Sequence, residues 1–107
     1  MPIYSTIRMT IPLEKQREVS RILTSIAEQT RLEPGCLFCR VYRDLHEEEF
    51  LMFEEAWDNE EDLSHHLRSH IYRKLLLVLD MASEKPDIDF RTVSHTGGME
   101  VIEKARL

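Results

Sequence analysis

Between Ile3 and Ile11, the apolar residues Ile3, Ile7, Met9 and Ile11 alternate with Tyr4, Thr6, Arg8 and Thr10, the period of a half-buried strand. Pro12 suits the first turn of a helix. Val19, Ile22, Leu23, Ile26 and Ala27 then recur at helical spacing while Glu14, Lys15, Arg17, Glu18 and Arg21 fall elsewhere, which predicts an amphipathic helix over 13–31. Glu33-Pro34-Gly35 breaks it, because proline lacks a donor and glycine permits a sharp turn. Two strands follow, 36–44 and 49–57, joined by the polar Leu45-His46-Glu47-Glu48 as an antiparallel hairpin. In the second of them Phe50, Met52 and Ala56 point one way and Leu51, Phe53 and Trp57 the other, so both faces are largely apolar. Asp58 or Asn59 can cap a short helix ending near Leu67, with Glu60, Glu61 and Asp62 in the first turn, where the helix dipole favours negative charge. Ser69 can cap the next helix, whose stripe of Ile71, Leu75, Val78, Leu79 and Ala82 runs to about Ala82. A last strand is predicted over 87–95. The tail after Gly97-Gly98 carries Met99, Val101 and Ile102, too few apolar residues to fold alone.

The order β-α-β-β-α-β, with its second helix split, is the α+β, ferredoxin-like split-βαβ arrangement: a four-stranded antiparallel sheet with helices on one face. That leaves an apolar sheet face without cover, and a second copy packed sheet against sheet supplies it most simply. A homodimer is therefore expected, with residues 97–107 docking on the partner. The 107 residues form one domain, 1–107, and the 42% hydrophobic content supports an ordinary core. A net charge of −6, with no basic run longer than two residues, argues against nucleic acid and against acidic membrane surfaces. The longest apolar run, Leu75 to Leu79, is far short of the roughly 20 residues a membrane span needs. The first residues show neither a charged leader nor an apolar signal segment, so the cytoplasm is the expected location.

Five segments in order, Glu33-Pro34-Gly35-Cys36, Arg40-Val41-Tyr42-Arg43-Asp44, Glu54-Glu55-Ala56-Trp57, His66-Leu67-Arg68-Ser69 and Gly98-Met99-Glu100-Val101-Ile102-Glu103, resemble the antibiotic biosynthesis monooxygenase domain family, above all its quinol-monooxygenase-like branch. The resemblance implies a dimeric α+β barrel. For enzymatic members it also implies oxygenation with molecular oxygen as co-substrate and no flavin or metal, in a pocket between sheet and helices, with a small aromatic substrate supplying the electrons. Similar domains also degrade haem or have no assigned reaction, so the fold does not fix the chemistry.

Attack of oxygen on a dihydroxyarene begins with deprotonation, because a phenolate gives up an electron more readily than a phenol. Such a site needs a base, donors for the developing oxyanion and dry walls. His66 is the first candidate base: it shares a helical face with Leu63 and Leu67, its pKa range is right, and the family resemblance adds weight. A histidine satisfied at the rim of the core is the competing reading. Asp62, one turn earlier, could orient the ring. Trp57 offers a flat wall and one N–H donor, or is simply core. Asn59 is a helix cap or an oxyanion donor, and Tyr72 could bring an O–H to a substrate oxygen or sit at a helix edge. Phe53 and Phe90, with Phe38, are candidate apolar walls; alternation alone does not say which sheet face lines the pocket. Arg40 and Arg43 are expected to pair with Glu54 or Glu55.

Cys36-Leu37-Phe38-Cys39 lies on a strand, where positions i and i+3 point to opposite faces roughly 10 Å apart, so two free thiols are expected rather than a disulfide or a zinc site. In the cluster His65-His66-Leu67-Arg68-Ser69-His70 only His66 and His70 could share a helix face, Asp62 is the only nearby addition as a third ligand, and no metal is expected. Haem degradation is disfavoured, since Tyr72-Arg73-Lys74-Leu75-Leu76-Leu77 holds no histidine where haem-degrading relatives carry theirs. Two other classes stay open: a module that binds a hydrophobic small molecule without turnover, and an isomerase using the same base.

Overall fold

The computed structural model describes residues 1–107. Eight elements follow one another: β1 (Ile3–Thr10), α1 (Leu13–Thr30), β2 (Cys36–Arg43), β3 (Phe50–Trp57), α2 (Glu60–Leu67), α3 (His70–Leu79), β4 (Asp87–Thr92) and α4 (Met99–Ala105). The four strands form one antiparallel sheet in the order β2-β3-β1-β4, the ferredoxin-like topology predicted above.

Where β2 and α3 end short of expectation, a local hydrogen bond explains the difference. The Asp44 carboxylate accepts from the backbone N–H groups of His46 and Glu47, which turns the chain and ends β2 one residue early. α3 stops at Leu79 because Asp80, Met81 and Ala82 switch to bonds with the carbonyls of Leu77, Val78 and Leu79, a tighter turn. Val93 N–H still donates to the Pro2 carbonyl, just outside β1, but β4 ends at Thr92 and not at His95.

α1 and α3 cover one face of the sheet. Ile7, Met9 and Ile11 of the β1 segment, Val19, Leu23, Ile26 and Ala27 of α1, Leu51 and Phe53 of β3, and Leu75, Val78 and Leu79 of α3 form the main core. Each of these side chains except that of Ala27 contributes about 1.5–3 kcal/mol through removal from water. Ile3, Trp57 and Leu63 form a second, smaller cluster at the end of the sheet below α2.

The opposite sheet face is more mixed than β3 suggests. Its cross-strand rows read Arg91–Tyr4–Ala56–Phe38, then Asp89–Thr6–Glu54–Arg40, then Asp87–Arg8–Met52–Tyr42. The expected ion pairs of Arg40 and Arg43 with Glu54 or Glu55 do not form. Arg40 lies over the Phe38 ring, 4.3 Å from its centroid, and the Glu54 carboxylate accepts instead from the Tyr42 hydroxyl at 2.9 Å. Glu55 points to the other side of the sheet.

The tail folds into a helix of its own, α4, and every residue of it is exposed. The radius of gyration, 15.5 Å, exceeds the ~13 Å of a compact chain this long, in keeping with a terminal segment that stands off the body.

Candidate active site

β-strand parity builds the site. On the helix-covered face, one cross-strand row runs Phe90, Ser5, Glu55, Cys39 and the next runs Thr92, Ile3, Trp57, Cys36. Both cysteines stand on this face, contrary to the alternation argument. A bulge between Cys36 and Phe38 absorbs Leu37 and shifts the phase of the strand by one residue. The thiols remain free. Burial pushes the Cys36 thiol up to about 11, with the Glu55 and Glu33 charges acting the same way, and burial raises that of Cys39 as well.

α2 places His66 above these rows. Asn59 caps the helix: its Oδ1 accepts from the Asp62 backbone N–H, and its Nδ2 donates to the Asp62 carboxylate, each at 2.8 Å. Neither Asn59 nor Asp62 therefore reaches His66. The partners of the ring are two glutamates. Nδ1 donates to Glu33 Oε2 at 2.9 Å, and Nε2 lies 2.6 Å from Glu55 Oε1. The second contact is close but off the N–H axis, so it is a charge contact and not an aligned hydrogen bond. The ring stacks on Trp57, with centroids 4.6 Å apart, and meets Tyr72 edge-on at 5.2 Å.

His66, Glu55 and Trp57 are fully buried, whereas the Glu33 side chain keeps 20% of its surface in solvent. Burial by itself would lower the His66 pKa, but contact with Glu55 and then Glu33 outweighs it and the net displacement is upward. Burial, with Glu55 nearby, pushes Tyr72 up to about 12. A histidine held above its unfolded value of 6.5 contributes stability that is complete below that pH and is lost as pH rises through the folded value. The unfolding free energy of the protein should therefore fall between pH 6.5 and about 8.5, before the unfolded thiols titrate near 9.0. Urea melts across that window check this, and a flat or rising profile contradicts the charged ring.

Several buried polar atoms here have no partner: Ser5 Oγ, Glu55 Oε2 and Trp57 Nε1. Each such group costs about 1–3 kcal/mol when left unmade. Together they offer an acceptor, a donor and a hydroxyl on adjacent rows of one dry face, a set that can receive a substrate hydroxyl.

Of the residues singled out from the sequence, His66, Trp57 and Tyr72 converge. Phe53 lies one row further along in the main core, fully buried. Phe90 is on the same row as Ser5 but half-exposed on edge strand β4, at the open side of the cluster. Glu33, Glu55 and Ser5 were not anticipated as site residues. For Glu55 a signal existed: it shares parity with Leu51, Phe53 and Trp57, and a carboxylate at a core position is almost always paired. A cavity of about 620 Å³ lies away from this cluster, toward the far end of the uncovered sheet face, where Arg8, Thr10, Tyr42, Phe50, Met52 and Lys85 are among its lining.

No helix of the chain is long and apolar enough to cross a membrane. Among solved structures, the chain is similar to a conserved protein from Methanosarcina mazei Go1, at 26% identity and a TM-score of 0.79 over 85% of this chain and 91% of that one. A candidate antibiotic biosynthesis monooxygenase from Deinococcus radiodurans gives 22% identity and a TM-score of 0.81 over 90% and 96%. Rv0793 from Mycobacterium tuberculosis gives 16% and 0.81 over 92% and 100%. No curated protein sequence matches. The family model described as antibiotic biosynthesis monooxygenase matches residues 2–76, a segment that contains Glu33, Glu55, Trp57, His66 and Tyr72, and the chain belongs to that family.

Proposed function

We propose that the protein is a cofactor-independent monooxygenase that oxidises a quinol or another electron-rich hydroxylated aromatic with molecular oxygen. The observation that carries this reading is the unpartnered Glu55 Oε2, buried on the same sheet face as the equally unpartnered Trp57 N–H, one row away, with His66 against the other carboxylate oxygen. A phenolic O–H donates to Glu55 Oε2 and passes its proton there. The resulting oxyanion accepts from Trp57 Nε1 and feels the charge of His66. The anion then gives an electron to oxygen, the two radicals join through a C–O bond, and the O–O bond breaks. The attacked carbon gives up its hydrogen as a proton and keeps one oxygen as a carbonyl, and the other oxygen leaves as water, taking up that proton and the one Glu55 returns. Dry walls of Phe53, Trp57 and Tyr72 protect the peroxy stage from water. His66 serves as the charged partner of the base rather than the base itself, since a carboxylate faces each of its nitrogens.

Oxygen uptake with a panel of reduced quinols and hydroxylated polycyclic phenols tests this. Uptake matched by oxygenated product supports it. Binding without uptake makes the protein a small-molecule binding module, and turnover without oxygen makes it an isomerase.

The same reading pairs two copies through the uncovered sheet face in a dimeric barrel, with α4 lying on the partner. Aromatic Phe38, Tyr42 and Phe50 on that face, and rows in which Arg8, Arg40 and Arg91 alternate with Glu54, Asp87 and Asp89, suit a two-fold contact between like surfaces. Met99, Val101 and Ile102 of α4 are more than half exposed in the single chain. Removing residues 98–107 is therefore expected to weaken dimerisation at least about tenfold, read by sedimentation across a dilution series. A dimer indifferent to the truncation would place α4 elsewhere. Free thiols at Cys36 and Cys39 suit a cytoplasmic home.

A further inference from the structure

Glu33 sits outside every strand and helix, in the turn between α1 and β2, yet its carboxylate reaches His66 Nδ1 at 2.9 Å. The turn is clamped at several points. Glu33 N–H donates to Thr30 O, Cys36 N–H donates to Glu33 O, and Asp58 N–H, at the start of the β3–α2 connection, donates to Gly35 O. Gly35 has φ +83°, and a Cβ there would fall 2.3 Å from the Asp62 carboxylate, so only glycine lets the turn press against α2. Such a fixed turn aims one side chain. From it we infer that Glu33 is a positioning residue: it fixes the His66 ring through Nδ1 and supplies the second negative charge that keeps the ring an imidazolium opposite Glu55, so that Glu55 is left free to take the substrate proton. This inference rests on the reading of Glu55 as the proton acceptor.

Two charges taken out of water as a pair recover only part of their lost hydration. A third group tips that balance. Glu33 is suited to the task because its 20% exposure leaves part of its hydration intact while its charge still acts at hydrogen-bond range. The other titratable or charged groups around the ring are Tyr72 from α3 and, beyond Glu55, Cys36 and Cys39 from β2. Arg31, at the end of α1, donates from Nε to Cys39 O. None of these places a negative charge on Nδ1.

Glu33→Gln keeps the size and an acceptor oxygen but removes the charge. With ring-labelled histidine in the intact protein, the His66 NMR titration midpoint should fall by at least about one pH unit, a tenfold drop in proton affinity. Glu33→Asp, which keeps the charge but withdraws it by one methylene, should give an intermediate midpoint. In oxygen uptake with reduced quinol, Glu33→Gln should lower kcat at neutral pH and displace the limb of its pH profile while KM stays near wild type. A midpoint unmoved in both variants, even alongside a lower melting temperature, overturns the inference. Should the wild type consume no oxygen, the monooxygenase reading fails while the ring titration still decides what Glu33 does.

Discussion

Replacing His66 with leucine is expected to destabilise the fold by about 3–5 kcal/mol, the usual result of removing one partner from a buried ion pair. The loss arises less from the missing contact than from Glu55, which stays fully buried with no opposing charge. A packing term adds to it, because leucine matches the imidazole in volume but not its flat shape between Trp57 and Tyr72. The two causes separate in a double substitution. Glu55→Leu combined with His66→Leu removes both charges together and should recover most of the stability, since an apolar pair of similar volume often matches a buried ion pair. Urea unfolding of the wild type, both single variants and the double variant measures the coupling. If the double variant is as unstable as the sum of the singles, the two residues do not act as a pair.

Glu55→Gln should show a different profile, with a smaller loss of stability than His66→Leu, because Glu33 still faces the ring, and a large effect on turnover. Glutamine has nearly the same shape and leaves the Glu33 bond to His66 Nδ1 in place, but it cannot accept a proton from substrate. Positioned acid–base groups contribute about 10²–10⁴-fold, and a loss of that size is expected in kcat for oxygen uptake with reduced quinol, with KM near wild type. A kcat within about threefold of wild type would remove Glu55 from the chemistry. His66 would then return as the base.

The architecture was legible because the chain is locally consistent. β1 alternates, α1 carries one apolar stripe, Pro34 and Gly35 mark a turn, and Asn59 and Ser69 cap the helices they were expected to cap. His66 and Trp57 were legible as inward-facing residues for the same reason, whereas Tyr72, open by sequence between a substrate contact and a helix edge, is buried. The electrostatics around them were not. Glu33 and His66 are 33 positions apart in the chain, and no periodicity connects a turn to a helix face. Asp62, one helical turn from His66, was the natural partner by spacing, but capping claimed it first. In Glu54-Glu55 the arginines of β2 call for either carboxylate by sequence, and only strand parity sends one outward and the other into the core. The cysteines failed on a different ground, since a bulge has no reliable signature in a run of apolar residues.

That extra residue at position 37 bears on how relatives should be compared. Strand direction alone would carry Cys36, and the turn leading into it, to the wrong side of the sheet; the inserted residue brings them back into phase with Cys39 and Glu55. The count of residues from Glu33 to Cys39 is thus as much a part of the acid–imidazole arrangement as the residues themselves. A homologue that keeps both glutamates and the histidine but is one residue shorter there would present its turn out of step. In aligning such proteins, a gap in this short interval is a better guide to divergent chemistry than overall percentage identity.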